Sequence, residues 1–312
     1  MMAPMDMFSG KSKAGSSLLL VLASFIWGIA FVAQSKGMQY VGPFTFSAVR
    51  TLIAALTLIP CALLFDKLGL SPKDADLKKT IRCGVLLGLV LFAAISLQQV
   101  GLLYTSVAKA GFITSLYIVL VPFFGMAIGK RTSIAVWLCI PLAVAGLYLL
   151  SIQSDLSINL GDLLMIACAV GFACQILLID RFARGVDVIR MSCVQFLTVS
   201  VLSFPCAFLL EKPVLADIGS AWLPILYAGA LSGGFAYTMQ MLGQRNIEPA
   251  IASLLMSPES VFAALAGWLL LGQSLTLREF FGCCLVFCAV ILAQFPWNRV
   301  VKNEKLLQFL QR

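Results

Sequence analysis

Apolar residues occur along this chain in runs of about twenty, separated by short polar stretches. A helix that crosses a bilayer needs about 20 mainly apolar residues. Ten segments meet that requirement, near 16–34, 43–65, 82–103, 107–128, 134–152, 160–180, 189–210, 220–243, 249–271 and 278–296. The longest linker runs only from Asp66 to Thr80. Backbone polar groups in hydrocarbon must be paired within helices or a closed barrel. The runs are too long and continuous for barrel strands, so the pattern predicts an all-α membrane protein with ten transmembrane helices. The first run has no clear small-residue cleavage site and is expected to be a retained helix rather than a signal peptide.

Composition agrees. Hydrophobic residues make up 61% of the chain and charged residues 12%, against about 25% charged in soluble domains. Cytoplasmic loops are rich in Lys and Arg, so the basic residues set the orientation. With the N-terminus inside, the inner segments carry seventeen of them, among them Lys67–Arg82, Lys130, Arg131 and Arg245. The outer segments carry four: Lys36, Lys109, Lys212 and Arg278. This places both termini in the cytoplasm and predicts a multi-pass protein of the cell membrane. It also accounts for the net charge of +8 without a nucleic-acid partner; the expected partners are the lipid bilayer and a small solute. The tail 297–312 is expected to be cytoplasmic, with Val300–Arg312 either a basic amphipathic helix on the membrane surface or a disordered tail.

The chain repeats itself. A shift of 145 positions lays Pro60-Cys61-Ala62 on Pro205-Cys206-Ala207, and a shift of 142 lays Gln98-x-x-Gly101 on Gln240-x-x-Gly243. The units predicted are 16–152 and 160–296, five spans each. Five is odd, so the second unit enters the membrane from the opposite side and the halves are inverted repeats. Inverted repeats recur in secondary transporters, with the solute site near the midplane between the halves. The duplication is also compatible with an evolutionary residue that carries no function.

Charged side chains at mid-membrane are costly and rare. Arg50 and Glu259 are the two. Each either contacts solute or a coupling proton, or serves structure by pairing with the other or with backbone carbonyls. The shift lays Arg50 on Gln195 and Glu259 on Tyr117, so an Arg50–Glu259 contact would bring Gln195 toward Tyr117. Ser257-Pro258-Glu259 has the form of a helix start, Ser as N-cap and Pro at the first position. It predicts a break or a proline kink in the ninth span, one not copied at its mate Ser115, whose Pro122 comes seven residues later. Gln98, Gln99, Tyr104, Tyr117, Gln175, Tyr237, Gln240 and Gln244 are the other polar candidates, for a cavity lining or for interhelical hydrogen bonds, with Trp27 as an aromatic wall.

Ten cysteines and no histidine give no metal-ligand spacing, so no metal, cofactor or disulfide framework is expected. No catalytic constellation and no nucleotide-binding loop is present. The leading expectation is therefore a non-enzymatic secondary transporter of small organic solutes, with Glu259 the best candidate for carrying a proton. A sensor or assembly subunit, or a membrane enzyme, is the alternative. The sequence leaves the oligomeric state open.

These residues resemble a known family. Trp27-Gly28, then Pro43 and Arg50 within Gly42-Pro-Phe-Thr-Phe-Ser-Ala-Val-Arg50, look like the EamA repeat of the drug/metabolite transporter superfamily. The stretch from Glu259-Ser-Val-Phe-Ala to Leu271-Gly272-Gln273, followed by Gly282, is similar to the matching part of that family. Three features depart from the pattern: Ser260 where proline is usual, Gln273 for glutamate, and Gly171-Phe172 for a Trp-Gly pair. The resemblance covers about residues 16–296. It implies ten helices in inverted repeats and export or exchange of small metabolites, amino acids or toxic compounds.

Overall fold

Polar caps fix where the helices begin. Asp76 accepts from the Lys78 and Lys79 amides, and Asp187 from those of Ile189 and Arg190. Asn159 with Asp162, and Thr276 with Glu279, form reciprocal capping boxes. Each satisfies amides that a helix start leaves unpaired. The computed structural model describes residues 13–69, 71–72, 75–105, 107–151, 159–183, 185–271 and 276–295. The expected cytoplasmic tail and the Gly272-Gln273 pair lie outside these residues.

The helices are α1 (Lys13–Gly37), α2 (Pro43–Lys67), α3 (Leu77–Gly101), α4 (Val107–Ser115), α5 (Tyr117–Ala127), α6 (Ile134–Ser151), α7 (Leu160–Phe182) and α8 (Val188–Leu210). There follow α9 (Leu215–Ser220), α10 (Trp222–Leu226), a π-helical stretch Tyr227–Ala236, α11 (Tyr237–Gln244), α12 (Pro249–Met256), α13 (Glu259–Leu271) and α14 (Leu277–Gln294). Among the described residues, eight helical stretches are long and apolar enough to cross a membrane, and Ile134–Leu150 is a shorter apolar helix. Large apolar side chains such as Leu209 and Leu215 stand more than four-fifths exposed; in a bilayer such side chains meet lipid.

The structure departs from expectation in two places. The segment 220–243 is not one regular helix but a succession of short helices around the π-helical stretch. The interruption at Ser257-Pro258 does have a counterpart in the first half: α4 ends at Ser115 and α5 begins at Tyr117. No proline is needed there, because the chain tightens, Leu116 N–H bonding the Ile113 carbonyl and Val119 N–H the Leu116 carbonyl. These are i→i−3 bonds of the 3₁₀ kind.

Helices α2 and α8 pack along their lengths, antiparallel. The Glu211 carboxylate, just past α8, accepts from the Phe44 and Thr45 amides at 2.8 Å each and from Thr45 Oγ1 at 2.5 Å. It thereby caps the proline-led start of α2. At the other end Asp66 pairs with Arg190 at 2.6 Å. A shared carboxylate cap is worth about 1–2 kcal/mol. Glu211→Ala is therefore expected to lower the thermal midpoint of the purified protein, whereas Glu211→Asp should retain part of it.

Helices α6 and α14 form a second long contact, closest where an added Cβ on Gly282 would lie 2.6 Å from the Gly146 carbonyl oxygen. Helix α3 packs between α7 and α8, while the π-helical stretch and α11 pack against α1 and α2. The interrupted pairs α4–α5 and α12–α13 pass through the middle of the molecule.

Candidate functional site

The two interruptions meet. Ser115 Oγ, at the end of α4, lies 3.3 Å from Glu259 Oε1 and 2.8 Å from Ser260 Oγ, at the start of α13. Ser260 Oγ in turn donates to the Gly111 carbonyl at 3.2 Å. Ser260 thus gives the second break a polar tie to the first. Gly28 lets α1 come directly onto this point, since a Cβ there would lie 2.8 Å from the Glu259 carbonyl oxygen and from the Ala263 nitrogen.

Beside this junction lies a cavity of about 70 Å³. Of the residues singled out in the sequence, Trp27, Arg50, Gln98, Tyr117, Gln175, Tyr237, Gln240 and Glu259 line it. Arg50 and Glu259 are 7% and 5% exposed, so both are essentially removed from water. They do not form an ion pair with each other, and Arg50 Nε has no hydrogen-bond partner. The guanidinium carbon instead sits 5.4 Å from the Phe46 ring centroid. The Arg50–Glu259 pairing, one of the alternatives above, is therefore not made, and the Gln195–Tyr117 approach that depended on it loses its basis.

Two more lining groups are buried without partners, Gln175 Nε2 and Gln240 Oε1, while the Tyr117 hydroxyl lies within hydrogen-bonding reach of the Glu259 carboxylate. A buried polar group left unpaired costs about 1–3 kcal/mol, and most are paired in folded proteins. Three such atoms, those of Arg50, Gln175 and Gln240, stand in the wall of one small cavity. An aromatic ledge forms the rest: Trp27 packs edge-on to Tyr237 at 4.9 Å, and Tyr237 on Phe196 at 5.1 Å. The Trp27 indole N–H donates to the Ser232 carbonyl at 3.2 Å.

Four candidates fall elsewhere. Ser257 is fully buried, but its hydroxyl donates back to the Leu254 carbonyl rather than capping α13. Gln244 is buried off the cavity wall with both amide atoms unpaired. Gln99 donates to Gln34 Oε1 at 3.0 Å, and Tyr104 is exposed. The sequence reading missed Ser115 and Ser260, whose hydroxyls look like ordinary helix serines until the breaks are brought together. It also missed Gln34 and Thr114 on the wall. All ten cysteines are unpaired.

A larger vestibule of about 1640 Å³ lies toward the end of the molecule that carries Lys13, Lys130, Arg131 and Arg245, with Asp180 and Glu248 also on its wall. Lys130 pairs there with Asp180. At the other end Lys109, near the start of α4, pairs with Asp162 of α7 at 2.6 Å, and Thr105 Oγ1 donates to the same carboxylate.

Long apolar helices around a partly polar internal cavity define a multi-pass membrane protein. The chain belongs to the EamA-like transporter family, whose model matches it twice, over residues 15–152 and 159–295. An uncharacterized transporter of Archaeoglobus fulgidus is 30% identical over 289 residues, covering 91% of this chain and 87% of the relative. The uncharacterized transporter YoaV of Bacillus subtilis is 23% identical over 289 residues, 90% of this chain and 97% of its own. A crystal structure at 20% identity superposes with a TM-score of 0.77 over 93% of this chain and 99% of the other, which establishes a shared fold.

Proposed function

We propose that this chain is a secondary transporter that carries small neutral or zwitterionic organic solutes across the cell membrane by alternating access, through the central cavity. The observation that carries the reading is the cavity wall itself. It holds a buried cation, Arg50, a buried carboxylate, Glu259, and unpaired buried amides of Gln175 and Gln240, beside a half-buried aromatic ledge. Arg50 suits a carboxylate and Glu259 an ammonium group, and the aromatic ledge suits an apolar body between them. Export or exchange is the expected direction, with Glu259 as the group that takes up a coupling proton.

In this reading the ten spans form two inverted units, 16–152 and 160–296, with both termini cytoplasmic. Pairwise contacts support the symmetry. Gly101 of α3 approaches the Gly161 carbonyl, and Gly243 of α11 approaches the Ser16 carbonyl, positions equivalent by the shifts of 142 and 145. The ties Glu211–α2 and Asp66–Arg190 are likewise equivalent, Asp66 falling on Glu211. The vestibule lies on the side assigned to the cytoplasm and the Lys109–Asp162 pair on the other, which favours an inward-facing state.

The test is counterflow. Proteoliposomes loaded with a pool of unlabelled neutral and zwitterionic metabolites are given labelled members one at a time. Uptake above protein-free vesicles for at least one member is expected. Vesicles indistinguishable from the protein-free control across the pool would count against the substrate class.

A further inference from the structure

The π-helical stretch Tyr227–Ala236 has no counterpart in α3, its mate under the repeat, which is a regular α-helix. The packing of the two segments locates the difference. In the first half, a Cβ on Gly88 would meet the Gln195 carbonyl and Thr198 Cβ. In the second, a Cβ on Gly229 would meet the Arg50 carbonyl and Ile53 Cβ. Arg50 and Ile53 are the repeat mates of Gln195 and Thr198, so Gly88 corresponds to Gly229. One turn earlier the same register holds. Gly84 abuts Met191 and Val194, while Ile225 clusters with their mates Phe46 and Val49.

Beyond the π-helical stretch the register changes. Gly101 meets Gly161 where Gly243 meets Ser16, and Gln98 and Gln240 both line the cavity. The path from Gly229 to Gly243 is therefore one residue longer than the path from Gly88 to Gly101, although both join equivalent contacts. An extra residue in a helix is absorbed as a π turn. The π turn interrupts the i→i+4 ladder, and within it the Ser232 carbonyl receives the Trp27 indole. The first half has neither feature, because the mate of Trp27 is Phe172, which has no N–H to satisfy.

We infer that the second half holds one residue more than the first within Tyr227–Ala236, and that this residue positions Trp27 on the cavity wall by presenting the Ser232 carbonyl to its indole. Trp27 lines the cavity; the extra residue acts through it. The weight of this device for solute selection rests on the central cavity being the solute site, but its geometry does not, and the test reads geometry.

Gly234 is the residue to remove, since an added Cβ there would find only Thr57 at 3.5 Å or more and the Ala54 carbonyl farther off. The full chain lacking Gly234 is expected to fold, with the monodisperse elution of the unaltered chain, because α3 spans the same two contacts with one residue fewer. The chain lacking Ala93 of α3, which has no residue to spare, is expected not to fold. Trp27 is then read by difference, as the fluorescence of each chain minus that of its Trp27→Phe variant. The Trp27 emission should shift when Gly234 is removed. Trp27→Phe should lower the thermal midpoint of the full chain and have a smaller effect in the chain lacking Gly234, the mark of a coupled pair. Failure of the Gly234 deletion to fold would overturn the extra-residue assignment. A folded deletion whose Trp27 emission and midpoint shift match those of the full chain would overturn the role given to Ser232.

Discussion

Gly28→Val is expected to yield little folded protein, and what folds should unfold at a markedly lower temperature. A Cβ at position 28 would lie 2.4 Å from Phe262 Cβ, 2.8 Å from the Ala263 nitrogen and 2.8 Å from the Glu259 carbonyl oxygen. Overpacking costs about 1–3 kcal/mol where side chains can move aside. Two of these three neighbours are backbone atoms of α13, so relief requires moving the helix itself. Small residues at helix crossings in membranes allow the close approach on which packing there depends. Moving α13 also moves Glu259 away from Ser115. The expected loss therefore has two parts, a lower thermal midpoint in detergent and a disturbed cavity. Gly219, where an added Cβ meets nothing within 4 Å, is the control: Gly219→Ala should leave both unchanged.

Glu259→Gln is expected to abolish solute accumulation driven by a pH gradient in proteoliposomes. The glutamine keeps the size of the side chain and its ability to bond Ser115, so the α4–α13 junction should hold and the elution profile should not change. What is lost is the negative charge and the capacity to take up a proton in the membrane interior. Accumulation should fall below about a tenth of the unaltered rate, a barrier change of at least about 1.4 kcal/mol. Exchange of solute across vesicles without a pH gradient should survive better than accumulation if the carboxylate carries the proton. Undiminished gradient-driven accumulation would return Glu259 to a structural role.

Most of the fold could be read from the sequence because hydrocarbon allows so few backbone solutions. Among the described residues the apolar runs coincide with helical segments, and the polar caps Asp76, Asn159, Asp187 and Thr276 stand where runs begin. The cavity wall was legible where cost made it so: Arg50, Glu259 and the glutamine pair Gln98 and Gln240 are expensive in a membrane interior, and all four line the cavity. Hidden features lacked such a signal. The break at Leu116 has no proline or glycine to announce it; it arises from a tightened turn. The π turn follows from a difference of a single residue, and alignment on Gln98 and Gln240 alone cannot reveal it. Ser257 has the composition of an N-cap, yet a hydroxyl in a helix can bond the carbonyl a turn behind it, and here it does. Gln244 lies one helical turn past Gln240, on nearly the same face but about 6 Å farther along the axis, and that step carries it off the cavity wall.

The central claim is that solute passes through the cavity between the two halves, and Gln98→Trp tests it most directly. The indole would occupy much of a cavity of about 70 Å³ while leaving Arg50 and Glu259 in place. Counterflow should fall to the level of protein-free vesicles in a variant that elutes and unfolds like the unaltered protein. A well-folded Gln98→Trp protein that carried solute at the unaltered rate would contradict the account, because the solute would then be taking another path.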